Sequence, residues 1–314
     1  MKMLINALPY LFLALFLGLT SCKDDETNGE EMSSEDCTDL ASVFTIALTT
    51  EGCNVDIANN LGTTSNYSES VSGGTRTISF NSIPNHLVGT FPNSGNPNTI
   101  SEQNNTFQMT TSPSLASNVT IAQGWIQGIL FSGVTVDIYT AEFFTGSSGM
   151  VNMQWNRNTL QNVDDLGLDC NNAHVQPTGK YHYHGIPNAY GDALGVDGTE
   201  MVKIGYAADG VPVYYLYYED DNGNIVEAQA SYELKSGSRG GDGITAPNGC
   251  YDGEYFQDYE YVADSGNLDA CNGRTGPTPD ALNGEYYYVI TNDFPSGPLC
   301  FSGTPNSSFQ LGGN

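Results

Sequence analysis

Glycine, proline and asparagine interrupt this chain so often that long helices have little room to form. It holds 36 Gly and 14 Pro in 314 residues. Between these turn-formers lie short runs rich in Val, Ile, Thr, Tyr and Phe: Thr75 to Phe80, Val134 to Tyr139, Val211 to Tyr218 and Tyr286 to Thr291. β-branched and aromatic residues bounded by turn signals predict strands. Helical spacing is scarce. Trp155, Thr159 and Leu160 predict one helix over 156–163, and Ala41 to Thr49 is ambiguous. The expected fold is mainly β, a single large β-rich domain with long loops. No repeat of 20–50 residues is evident.

The N-terminus reads as an export signal. Met1-Lys2 is a short basic start, and Ala7 to Leu19 is an apolar run too short to span a bilayer as a helix. It ends in Leu19-Thr20-Ser21-Cys22, which resembles the lipobox of bacterial lipoproteins. On that reading residues 1–22 are a lipoprotein signal with Cys22 lipidated, and residues 23–36 an acidic tether. Lys23-Asp24-Asp25-Glu26 resembles a signal for the outer face of the outer membrane. The expected location is therefore the outer membrane, lipid-anchored and exposed at the cell surface, with the lipid as the only membrane contact. Residues 37–70 are expected to form a small Cys-containing segment ahead of a main domain over 71–314.

The cysteines fit export. Six remain after Cys22: Cys37, Cys53, Cys170, Cys250, Cys271 and Cys300. An even number in an exported chain predicts three disulfides, of which Cys37 with Cys53 is the simplest pairing. The net charge of −27 makes nucleic acid and anionic membrane surfaces poor partners.

Some acidic and glycine-rich stretches carry no chemistry. Asp220-Asp221-Asn222-Gly223-Asn224 begins like a calcium loop, but an EF-hand needs Gly at its sixth position and an acid at its twelfth. Ile225 and Ser231 stand there instead. Tyr217 to Val226 reads better as a hairpin turning at Asn222-Gly223. Gly237 to Gly253 lacks the ending of a phosphate loop, and no Ser or Cys sits in a recognisable nucleophile setting.

The histidines are the informative feature. The chain has four, and three lie between His174 and His184. In Lys180-Tyr181-His182-Tyr183-His184-Gly185 an extended backbone puts His182 and His184 on one face, roughly 6.6 Å apart along the strand. Tyr181 and Tyr183 take the other face and can pack into a core. Two such imidazoles can converge on one ion at 2.0–2.1 Å per bond. His174 lies before Pro177-Thr178-Gly179, a turn that would fold it back beside the pair. A fourth imidazole could only be His86. An all-imidazole set suits copper or zinc; carboxylates in the shell would also admit iron or manganese.

The chain also resembles the bacterial YHYH-domain family. The resemblance rests on Ile83 to Pro92, Leu166 to Gly185, Ile204 to Tyr214 and Leu268 to Arg274, and covers roughly residues 75 to 309. It implies that His86, His174, His182 and His184 belong to one site. It brings no assigned activity. Some members carry a late tyrosine-histidine element where this chain has Tyr286 to Thr291 without histidine. The matching segments suggest Asp169 and Asp209 as outer partners of the imidazoles or as carboxylate ligands; an Asx-turn cap is the plainer role for both. Arg274 is expected to pair with a core carboxylate or to hold an anionic substrate.

Three functions remain open from sequence. One is metal binding at the cell surface. Another is a metalloenzyme (hydrolase, hydratase or oxidase) with an open metal position and an unknown small-molecule substrate. The last is a structural or adhesive module without metal.

Overall fold

Eight of the short runs pair into one mixed sheet. The computed structural model describes residue 37 and residues 52–161 and 166–312. The signal at 1–22 with Cys22, the tether at 23–36 and the run Ala41 to Thr49 lie outside the described residues. Across the sheet the strands run Gly273–Thr278, Ala281–Ile290, Pro212–Tyr215, Val202–Ala207, Gly128–Leu130, Thr135–Val136, Tyr181–Tyr183 and Ala173–Val175. A three-stranded sheet (Tyr67–Ser72, Thr75–Phe80, Asn105–Thr110) and four two-stranded ribbons complete a single large, strand-dominated domain with long loops. Among the described residues no helix is long and apolar enough to cross a membrane.

Local rules account for most of these elements. Thr75–Phe80 is a strand over its whole expected length. The run Val211 to Tyr218 breaks at Leu216, whose φ of 59° lies in the left-handed region, and becomes two strands, Pro212–Tyr215 and Tyr217–Glu219. The second of these pairs with Ile225–Glu227 in the expected hairpin. No α-helix forms over 156–161, the described part of the helix expected at 156–163. Val151–Asn156 is extended, held by the Asn156 amide on the carbonyls of Thr140 and Glu142 at 2.9 and 3.0 Å, and only a 3-10 turn, Thr159–Gln161, follows.

The disulfides join Cys37 to Cys250, Cys53 to Cys170 and Cys271 to Cys300. The simple pairing of Cys37 with Cys53 is thereby corrected, and backbone bonding gives the reason. Val55 exchanges two 3.0 Å hydrogen bonds with Val88, and the next residue, Gly89, donates to the Asp169 carboxylate at 2.9 Å. Those bonds bring Cys53 to Cys170, across 117 residues of sequence. Ile57 packs in the same core as Ile83 and Val88, and the boundary expected at 70/71 falls inside the strand Tyr67–Ser72.

The main sheet is built twice over. The strand order reads as a palindrome: an antiparallel pair, then a strand parallel to the second member of that pair, then the same from the other edge. Gly128 pairs with Val136 as Gly205 pairs with Val213. Gly133 and Gly210 turn these hairpins, both with φ of 82°. Asp169 and Asp269 each accept the amide two residues on, and Asn172 and Asn272 each follow at φ of 50° and 60°. Tyr181 and Tyr286 donate to those two aspartates at 2.6 and 2.8 Å. The halves meet where Ile129 pairs with Tyr206, each the counterpart of the other. A repeat of this size escapes a search at 20–50 residues.

The meeting point explains two glycines. A Cβ on Gly128 would lie 2.7 Å from the Tyr206 carbonyl oxygen, and one on Gly205 would lie 2.3 Å from that of Ile129. Both obstacles are backbone, so neither can swing aside. Gly128→Ala and Gly205→Ala should each destabilise the domain by about 2 kcal/mol or more, read as a lower urea midpoint. Ala at the exposed, unobstructed Gly240 should change it little.

Candidate metal centre

The strand Tyr181–Tyr183 lies between two neighbours and is lined differently on each face. Thr135–Val136 runs parallel to it on one side, with His182 opposite Thr135. Ala173–Val175 runs antiparallel on the other, with His182 opposite His174. The turn that closes this hairpin needs Gly179 at φ of 87°. Side-chain alternation then puts His182, His184 and His174 on one face.

The back face is locked by two buried tyrosines. Tyr181 donates to the Asp169 carboxylate at 2.6 Å, and Tyr183 donates to His86 Nε2 at 2.5 Å while accepting from Ser132 at 2.8 Å. Asp169 also takes the amides of Gly89 and Asn171, both at 2.9 Å. Each strand residue thus has its rotation fixed from behind.

On the front face the three imidazoles close into a triangle. Their ring centroids are 4.7, 4.8 and 4.7 Å apart. One ligating nitrogen from each ring lies within 4.8 Å of the others, and the Nε2 atoms of His174 and His184 are 3.1 Å apart. Two nitrogens on a tetrahedral ion with bonds of 2.0–2.1 Å would be about 3.3 Å apart. The tautomers follow from the backbone. His174 Nδ1 faces the Leu166 carbonyl at 2.9 Å, His182 Nδ1 that of Lys180 at 3.3 Å, and His184 Nδ1 that of Ile138 at a longer 3.5 Å. A carbonyl accepts only from N–H, so each Nδ1 carries the proton and each Nε2 keeps its lone pair. Two lone pairs 3.1 Å apart repel unless a cation stands between them. Burial is the main cause that lowers the pKa of all three, well below the usual value for His182 and His184. The rings are neutral near pH 7, as metal ligands must be.

The other expected residues lie elsewhere. His86 is not brought to the cluster. Its Nδ1 donates to the Leu87 carbonyl at 2.8 Å, so Nε2 accepts the Tyr183 proton and has no lone pair left for an ion. It sits behind the strand, beside Tyr190, whose ring centroid is 5.5 Å away. Asp169 does not hold the His174 ring: its carboxylate takes Tyr181 and the amides of Gly89 and Asn171, while His174 Nδ1 donates to the Leu166 carbonyl. Asp209 belongs to the other half, accepting from Tyr288 at 2.8 Å and from the Gly303 amide at 2.9 Å. Both aspartates also cap their own turns, through Asn171 and Val211. Arg274 neither holds an ion pair with a core carboxylate among the described residues nor lies beside the histidines. Its guanidinium sits 3.7 Å above the Tyr218 ring.

Asp137 and Glu142 are site residues that sequence reasoning missed. Asp137 is 5 % exposed, follows Thr135–Val136, and receives Lys180 Nζ on Oδ2 at 3.1 Å. Its Oδ1 is buried and unpaired among the described residues. Asp137 and Glu142 line, with the three histidines, a cavity of about 790 Å³. An acid inside the apolar run Val134 to Tyr139 was the available signal.

Among the described residues the second half of the sheet has no such centre. By register, Arg274 stands where His174 does, opposite Tyr287 in the place of His182. Val289 takes the place of His184, since both donate to the turn asparagine carbonyl. Tyr214 takes the place of Asp137.

A family model described as YHYH protein matches residues 106–303, which contain the three clustered histidines and exclude His86. No curated protein and no solved structure matches the chain.

His86 makes a prediction separable from metal. Burial lowers its pKa to about 4. The unfolded chain therefore takes the proton first, near 6.5. Stability from this residue is complete above about pH 6.5 and is lost as pH falls toward 4, by about 3 kcal/mol. Urea unfolding of metal-free protein across that window should show a shallower pH dependence in His86→Gln than in the parent.

Proposed function

The chain belongs to the YHYH protein family, and from that premise we propose that it is a metal protein whose zinc or copper ion keeps one position open toward a small-molecule cavity. The single observation behind this reading is the set of three carbonyl-fixed imidazoles whose ligating nitrogens lie within 4.8 Å of one another, the Nε2 atoms of His174 and His184 at 3.1 Å. A fourth histidine would have closed the shell and favoured metal holding alone. With His86 engaged behind the sheet, three protein ligands leave room for water or an organic ligand, the arrangement of catalytic rather than structural zinc sites. Zinc there would supply Lewis acidity to a bound water or carbonyl group, and copper one-electron chemistry. The carboxylate groups of Asp137 and Glu142 line the same cavity and would offset part of the ion's charge.

Metal analysis tests this directly. Chain purified from Asp36 onward without a histidine tag should hold one equivalent of zinc or copper. His182→Ala and His184→Ala should each weaken binding at least 100-fold, whereas His86→Gln should keep the ion. Substoichiometric metal in the parent, or unchanged metal in both alanine variants, rejects the centre.

We also propose attachment to the outer membrane through Cys22, at the cell surface. The lipobox-like Leu19 to Cys22 supports it, and three disulfides suit an oxidising compartment. Cells fed an alkyne-tagged fatty acid should label the parent chain and not Cys22→Ser.

A further inference from the structure

The two halves of the sheet carry the same construction and differ in what covers it. The strands Thr135–Val136 and Pro212–Tyr215 are each followed by a short hairpin, Phe143–Thr145 with Val151–Asn156 in the first half and Tyr217–Glu219 with Ile225–Glu227 in the second. In the second half this hairpin closes down. Tyr218 joins Tyr214, Tyr287 and Val289 in a buried cluster, with Ile225 and Val226 packed against it, and the Tyr218 ring covers Arg274. The counterparts of Asp137, His182 and His184 are therefore packed under the protein's own side chains, and the counterpart of His174 lies under the Tyr218 ring.

In the first half no side chain among the described residues fills the matching space. The hairpin stands off, with Met150, Val151 and Met153 exposed by 58, 55 and 67 %. Between it and the histidines lies the 790 Å³ cavity, within the 300–1,000 Å³ range of small-molecule sites. Trp125, Tyr139, Phe143 and Met153 line it, and among the described residues no Lys or Arg does. Apolar surface left in water forgoes about 25 cal/mol per Å². A ligand that covers these side chains gains what the second half gains from Tyr218 and Val226.

We propose that this cavity binds an organic molecule with an apolar ring and one Lewis-basic atom. The ring takes the place that the hairpin side chains fill in the second half, against Phe143 and Met153. The basic atom points to the histidine end. This rests on the metal reading for its polar end only. Asp137 and Glu142 in the lining, with no cationic side chain lining it among the described residues, disfavour a multiply charged anion such as a phosphate ester.

The test uses 1-benzylimidazole and 1-methylimidazole, which share a coordinating nitrogen and differ by a phenyl ring. Binding is read from Trp125 emission in full-length Trp155→Phe, since the chain has two tryptophans. The benzyl probe should bind at least tenfold tighter, with and without zinc. Phe143→Ser with Met153→Ser should bring that ratio toward one. Zinc should tighten both probes by a similar factor; if it tightens neither, the metal reading fails while the ratio still decides the pocket. Equal affinities, no detectable benzylimidazole binding in either state, or an unchanged ratio in the double variant would overturn the proposal.

Discussion

Two buried phenol hydroxyls fix the strand on which everything else in this protein rests. Tyr181 and Tyr183 leave no freedom on the back of their strand: one is tied to Asp169, the other to His86 and Ser132. Alternation then leaves His182 and His184 no choice of face. Metal ligands need such backing, because an ion rewards only side chains already held near the productive geometry. Asp169 serves the centre from the far side of the sheet, by holding Tyr181 and the Gly89 backbone together.

The doubled framework shows how little of a site is fold. The same hairpins, turn aspartates and asparagines, and tyrosine-to-aspartate bonds occur in both halves. One half carries His174, His182 and His184, and the other Arg274, Tyr287 and Val289 at the same register positions. In one half the face presents imidazoles to a cavity; in the other it is packed as core. A backbone framework sets distances and directions, and side chains decide the use.

Charge is arranged on two scales. The −27 of the whole chain enriches cations around the molecule without choosing where they settle. The choice is local: three neutral imidazoles beside the Asp137 to Lys180 pair, with Glu142 in the cavity wall. Burial keeps the rings unprotonated, so proton and metal do not compete for Nε2 near neutral pH.

The sequence by itself determined the β class and the phase of the tyrosine-histidine strand, because turn-formers and side-chain alternation act within a few residues. It also placed the turn at Pro177 to Gly179 that returns His174 toward that strand. Only the tertiary structure decided that His86 lies behind the sheet, that Cys53 meets Cys170, that Asp137 stands beside the centre, and that the histidine half of a doubled sheet faces a cavity. Each of those facts depends on which distant segments pair, for instance Val55 with Val88 and Thr135 with His182. Backbone pairing between remote strands leaves no mark in local spacing, so the residues it brings together cannot be read from their neighbours in sequence.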